Sequence, residues 1–89
     1  MRQSRVIGLI GGMSWESSAE YYRIINRVFR ARLGGVHSAR SLMWSVDFGE
    51  VERLQHRGDW AALAAEMADA ARRLERGGAD FIVLCTNTM

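Results

Sequence analysis

The sequence predicts an α/β protein: a parallel sheet with flanking helices, forming the β-α-β-α-β start of a doubly wound domain. Three observations carry this expectation. Arg5 to Ile10 and Asp80 to Cys85 are short, almost unbroken apolar runs rich in β-branched residues, the pattern of strands buried on both faces. Two longer stretches place apolar residues at steps of three and four, and each ends at a Gly-Gly pair. Midway, Leu42, Trp44, Val46 and Phe48 alternate with Ser41, Met43, Ser45 and Asp47, the period of a strand. Elements in this order demand right-handed crossovers and therefore parallel pairing.

Taken in turn, the first strand stops at Gly11-Gly12, which reads as a tight turn, and Ser14 offers an N-cap to the first helix. On that helix Trp15, Ala19, Tyr22, Ile25, Phe29 and Leu33 share a face, and Asn26 on the same side suggests a buried hydrogen bond to a loop. Arg23, Arg27 and Arg30 form a neighbouring stripe that reads as a solvated flank beside Glu16 and Glu20 rather than an anion site. Ile24, Val28 and Ala31 make a second apolar band, leaving core packing or a homodimer contact open. Gly49 to Arg57 is ambiguous. Gly58-Asp59 then gives a turn and cap for a second long helix, with Trp60, Leu63, Ala64, Met67, Ala71 and Leu74 on its apolar face. The chain stops four residues after Cys85, so no helix follows the third strand, and residues 1–89 read as the first part of a longer protein.

Composition narrows the function. Eighty-nine residues at 48% apolar and 25% charged make one globular unit at most. A net charge of +2 is too small to imply a nucleic-acid partner. All twelve basic residues are arginine, so no lysine is present to carry pyridoxal phosphate as a Schiff base. The single cysteine, Cys85, makes no intrachain disulfide, no signal peptide is recognisable, and a reducing cytoplasm is the expected compartment. No apolar run approaches the ~20 residues that span a bilayer, so no membrane partner is expected. His37, His56 and Cys85 lack metal-ligand spacing.

In open α/β sheets ligands bind beyond the carboxyl ends of the strands. Two segments qualify. Gly11-Gly12-Met13-Ser14 permits close backbone approach, with a helix start that favours an anion; Cys85-Thr86-Asn87-Thr88 places a thiol before three hydrogen-bonding side chains. Together they suit a small carboxylate beside a sulfur. Each has a plainer alternative. The glycines do not fit G-x-G-x-x-G and lack a P-loop lysine, and a lone cysteine at a strand end is more often a small buried hydrophobe. Asp47 reads as a capping or solvent-side carboxylate, His37 as an exposed loop residue, and Gln55 as a surface residue within reach of a ligand.

Four segments in one order, Ile10-Gly11-Gly12-Met13-Ser14-Trp15-Glu16-Ser17-Ser18, His37-Ser38-Ala39, Ser45-Val46-Asp47-Phe48 and Gly78 to Met89, closely resemble the amino-terminal half of the aspartate/glutamate racemase family, in particular its broad-specificity amino-acid racemase branch. The resemblance implies an isomerase that uses no cofactor, with an active site between two similar α/β domains that each supply one catalytic cysteine. Cys85 matches the first cysteine, and Thr86, Asn87 and Thr88 match the substrate-binding segment. Met13, through its backbone, and Gln55 match further substrate contacts. The implied partners are a small amino-acid substrate and a second domain; in the family a histidine usually follows the Cys-Thr-Asn-Thr-Met run, and this sequence ends at Met89.

The chemistry agrees with the residues. Racemisation removes a proton from one face of the α-carbon and returns one to the other, so two opposed acid/base groups are suitable. A helix beginning just after Cys85 would lower its pKa and populate thiolate, while loop donors would hold the carboxylate as it becomes enediolate-like. A non-catalytic carboxylate-binding module is the alternative, and a nucleotide-binding half-domain is disfavoured by the glycine spacing.

Overall fold

The structure is a computed structural model and describes residues 5–86. Its elements are β1 (Ile7–Gly11), α1 (Trp15–Leu33), β2 (Ser41–Ser45), α2 (Phe48–His56), α3 (Trp60–Arg76) and β3 (Phe81–Leu84). The three strands form one parallel sheet in the order β2-β1-β3. This is the α/β, open, parallel arrangement expected from the apolar runs. Ile7 pairs with Ser41 on one side and Phe81 on the other, and the register continues to Ile10 opposite Trp44 and Leu84. As the central strand, β1 is buried along its whole length.

Alternation along β1 divides the core into two layers. Ile7 and Leu9 join Cys85 on the face covered by α1, through Tyr21, Ile25 and Phe29. Ile10 faces the other way and packs with Met13, Val51 of α2, and Leu63, Ala70 and Leu74 of α3. Helices thus lie on both faces. Arg73 ties α3 to the sheet: its guanidinium carbon lies 4.5 Å from the centre of the Trp44 ring, while its Nε donates to Asp69 at 2.8 Å.

The structure departs from the sequence expectation at three places. Gly49 to Arg57 is resolved as helix α2, so two helices rather than one separate β2 from β3. Asp47 caps this helix, accepting from the Gly49 N–H at 3.1 Å, which also ends β2 at Ser45 instead of Phe48. The third departure concerns α1. Its packed face is Ser18, Tyr21, Ile25 and Phe29, whereas Trp15, Tyr22 and Leu33 are largely exposed. The helix carries apolar residues around most of its circumference, and a single sheet face covers only one stripe of it. Ile24 and Val28 are exposed as well. On α3 the expected face holds at Leu63, Met67, Ala71 and Leu74, with Trp60 outside it. Among the described residues no helix is long and apolar enough to cross a membrane.

Candidate active site

The strand order fixes where a ligand crevice forms. From β1 the chain crosses over α1 to β2 on one side; from β2 it crosses over α2 and α3 to β3 on the other. The direction reverses at β1, so the switch point lies between β1 and β3 at their carboxyl ends. Those ends carry the glycine turn and Cys85.

The turn is set by backbone geometry. Gly11 O accepts from Val46 N–H at 2.8 Å, which extends the β1–β2 ladder past the strand. Gly12 follows at φ +97°, a left-handed conformation that side chains resist, and a Cβ there would overlap the Val46 carbonyl oxygen and lie 2.7 Å from its nitrogen. A Cβ on Gly11 would stand 2.7 Å from Ser18 Oγ, so this glycine lets the first turn of α1 approach β1. Among the described residues Ser18 is the one polar or charged residue that is buried. Its hydroxyl accepts the Gly12 N–H at 2.9 Å and lies 3.4 Å from the Ser14 carbonyl, holding the loop from beneath. Nothing in the residue pattern around the turn singled out this serine. Its signal was a serine in step with Tyr21, Ile25 and Phe29.

Ser14 occupies the N-cap position expected of it but does not cap with its side chain. It sits at φ 72°, its Oγ lies 3.3 Å from Ser17 Oγ, and its carbonyl receives the Ser17 and Ser18 N–H groups. The N–H groups of Met13 and Ser14 have no acceptor among the described residues. They remain as donors at the mouth of the turn, beside the positive end of α1. Met13 buries its side chain among Ile10, Val51 and Leu63, which leaves its backbone as the part able to meet a ligand.

Cys85 lies one residue beyond the Ile10–Leu84 pair, and its N–H donates to Ile10 O at 2.9 Å. It is therefore next to the glycine turn, as the strand-end reading requires. Its thiol is nevertheless fully buried, in the layer of Ile7 and Leu9 beneath α1. Burial pushes the thiol pKa up, because an apolar surrounding disfavours the thiolate. Desolvation beneath the α1 layer thus works toward S–H, while the helix start expected to favour thiolate would come after Thr86, outside the described residues. Sγ has only a long contact, 4.0 Å, to Val83 O.

Thr86 follows at the same strand end, half-buried, with its N–H on Leu84 O at 3.1 Å. Asn87 and Thr88 lie outside the described residues. Gln55 is half-buried on α2, one turn beyond Val51, in the layer on the opposite face of the sheet from the sulfur. Gly12, Met13, Cys85 and Thr86 thus stand at one end of the sheet, and Gln55 lies on α2, in the layer where the Met13 side chain packs against Val51. Asn26 makes the expected loop bond, its Oδ1 accepting from Ala39 N–H at 2.9 Å.

A glycine turn with free N–H donors and a neighbouring cysteine lie together at the switch point of an open parallel α/β sheet, the place where such sheets bind ligands. Comparison with known proteins makes the class specific. The chain belongs to the Asp/Glu/Hydantoin racemase family, whose sequence profile matches residues 10–89. It is also similar to a crystallised candidate Asp/Glu racemase from Yersinia pestis, at 53% identity over 97% of this chain, with a TM-score of 0.94. The match covers 37% of that solved chain.

Proposed function

We propose that this chain is the amino-terminal part of an amino-acid racemase that works without pyridoxal phosphate, and that Cys85 serves one face of the substrate α-carbon. The observation that supports it most is the adjacency of Cys85 to the Gly11–Ser14 turn at the switch point, in a chain of the racemase family. The turn receives the substrate carboxylate through the Met13 and Ser14 N–H groups, and Thr86, Asn87 and Thr88 contribute donors around it. A base on the opposite face, carried outside this chain, removes the α-proton. The electron pair moves into the carboxylate, where the loop donors stabilise the developing charge. Cys85 S–H then delivers its proton to the other face and is left as thiolate. In the reverse direction that thiolate takes the proton back. The raised pKa suits the starting role of acid, and the side chains over Sγ must move aside for substrate to reach it.

The test is Cys85→Ser in a full-length enzyme that carries this chain. Racemisation should be lost in both directions while amino-acid binding persists. The base on the opposite face should still exchange the α-proton of one enantiomer with D2O. Wild-type turnover in the variant overturns the assignment. Residues 1–89 alone, with one thiol, should not racemise, and turnover by the purified chain contradicts the two-base scheme. The sealed sulfur favours one other reading, a module that binds carboxylates without turnover. Calorimetry with aspartate, glutamate and neutral amino acids beside a chirality assay separates the two.

A further inference from the structure

A groove of about 720 Å3 runs along α1 toward the end of the sheet opposite the strand-end turn, with Tyr22, Arg23, Asn26, Arg27, Arg30 and His37 on its walls. Its shape is held by Asn26. That side chain donates to Tyr22 O and accepts from Ala39 N–H, both at 2.9 Å, pinning the loop after α1 against the helix. The sequence suggested that the arginine stripe is a solvated flank beside Glu16 and Glu20. The structure distributes the charges of that flank unevenly. Glu20 is committed to Arg23, whose guanidinium holds its carboxyl below the usual range, and Glu16 lies within reach of the Ser14 hydroxyl at 3.5 Å. Arg27 and Arg30 form no ion pair among the described residues.

Two guanidinium groups one turn apart, about 5–6 Å between Cβ atoms, present planar donor forks to the same groove outside any ion pair, although the Glu20 carboxylate also attracts Arg27 at longer range. Such forks match phosphate oxygens two at a time. A pair of them fits two linked phosphates better than a single carboxylate. Beside them Tyr22 is 51% exposed and offers a ring face, and the His37 imidazole stands on the facing loop. We propose that this groove binds an organic diphosphate or triphosphate, with its phosphate chain across Arg27 and Arg30 and its organic part against Tyr22. The site is separate from the strand-end turn and stands whether or not the racemase reading holds.

Calorimetry of the 89-residue chain with ATP, pyrophosphate and L-aspartate at physiological salt tests it. ATP and pyrophosphate should bind saturably. The double variant Arg27→Ala/Arg30→Ala should weaken both by about tenfold or more, whereas Arg72→Ala/Arg76→Ala, which removes the same charge from α3, should leave both nearly unchanged. Tyr22→Ala should weaken ATP and spare pyrophosphate. Alanine is the strongest helix former, so these exposed substitutions keep α1 intact; Arg27→Lys/Arg30→Lys, retaining charge without the fork, should fall between. Absence of saturable binding, equal losses in the two alanine pairs, or full affinity in the lysine pair would overturn the proposal. Displacement of ATP by L-aspartate at equal concentration would do the same.

Discussion

Gly12 controls the strand-end turn, and its two constraints separate cleanly from those at another left-handed glycine. At Gly12 a side chain meets both a positive φ and the Val46 backbone; at Gly34, φ +77°, nothing lies within 4 Å of a Cβ. Backbone strain should cost about 1–3 kcal/mol in either alanine variant, and Gly12→Ala should lose about a further 1–3 kcal/mol through overlap that Gly34→Ala does not meet. Urea midpoints of the two variants measure this; equal losses would mean that Val46 yields. Cys85 makes a second residue-scale prediction. Its folded pKa is raised by burial, so the unfolded thiol ionises first as pH climbs. The stability tied to the neutral thiol is complete below about pH 8.5 and is lost above it. The urea midpoint should fall as pH climbs above about 8.5 in the wild-type chain and stay flat in Cys85→Ala. The glycine pair and Cys85 were legible in the sequence because they stand at the ends of apolar runs. Sulfur burial was legible only as the plainer alternative, a small buried hydrophobe, since it depends on how Tyr21, Ile25 and Phe29 cover the sheet, and Ser18 was hidden by its resemblance to a solvated helix serine.

The start of α1 shows how an element can be read correctly while its details are not. Serine before a periodic run signals a cap, and Ser14 is indeed the N-cap residue, yet its φ of 72° turns its hydroxyl away from the N–H groups it would cap. Asp47 and Asp59 cap as their sequence positions suggest, accepting from Gly49 and Ala62 N–H groups. Ser14→Gly should consequently stabilise the chain by about 0.5–1 kcal/mol, because glycine relieves the left-handed strain and no cap is lost. A cap substitution of the ordinary kind would cost about 1 kcal/mol. Thermal melts of the variant decide between these signs. Helix α2 escaped sequence reading for a different reason. It is nine residues long, has Gly49 in its first turn, and buries only Val51. Its few apolar positions leave little periodicity to detect, and tertiary contact with α3 and Met13 supplies what the local sequence lacks.

At the scale of the whole molecule, three parallel strands and their helices make a slab rather than a sphere. The extents are 48 × 25 × 14 Å and the radius of gyration is 14.5 Å, against about 12 Å for a compact domain of this length. The excess is visible at β3, an edge strand in which Phe81, Ile82 and Leu84 are 38–45% exposed. The apolar run that made this strand recognisable in the sequence is the pattern of one covered on both faces and paired on both sides. Here one side is open, and no lysine, proline or bulge blunts it. Ile24 and Val28 on α1 extend the exposed apolar surface. The purified chain should therefore bind a hydrophobic dye such as ANS while keeping native far-ultraviolet dichroism, and its light scattering should rise with concentration. Ile82→Lys places a charge on the open edge away from the glycine turn, and gives up the approach of the Ile82 side chain to Gly8 of β1. That variant should scatter less and bind less dye at unchanged helix content. Equal scattering in both proteins would place the association elsewhere, and a loss of helix signal would show that the inner half of Ile82 contributes more to the core than its exposure suggests.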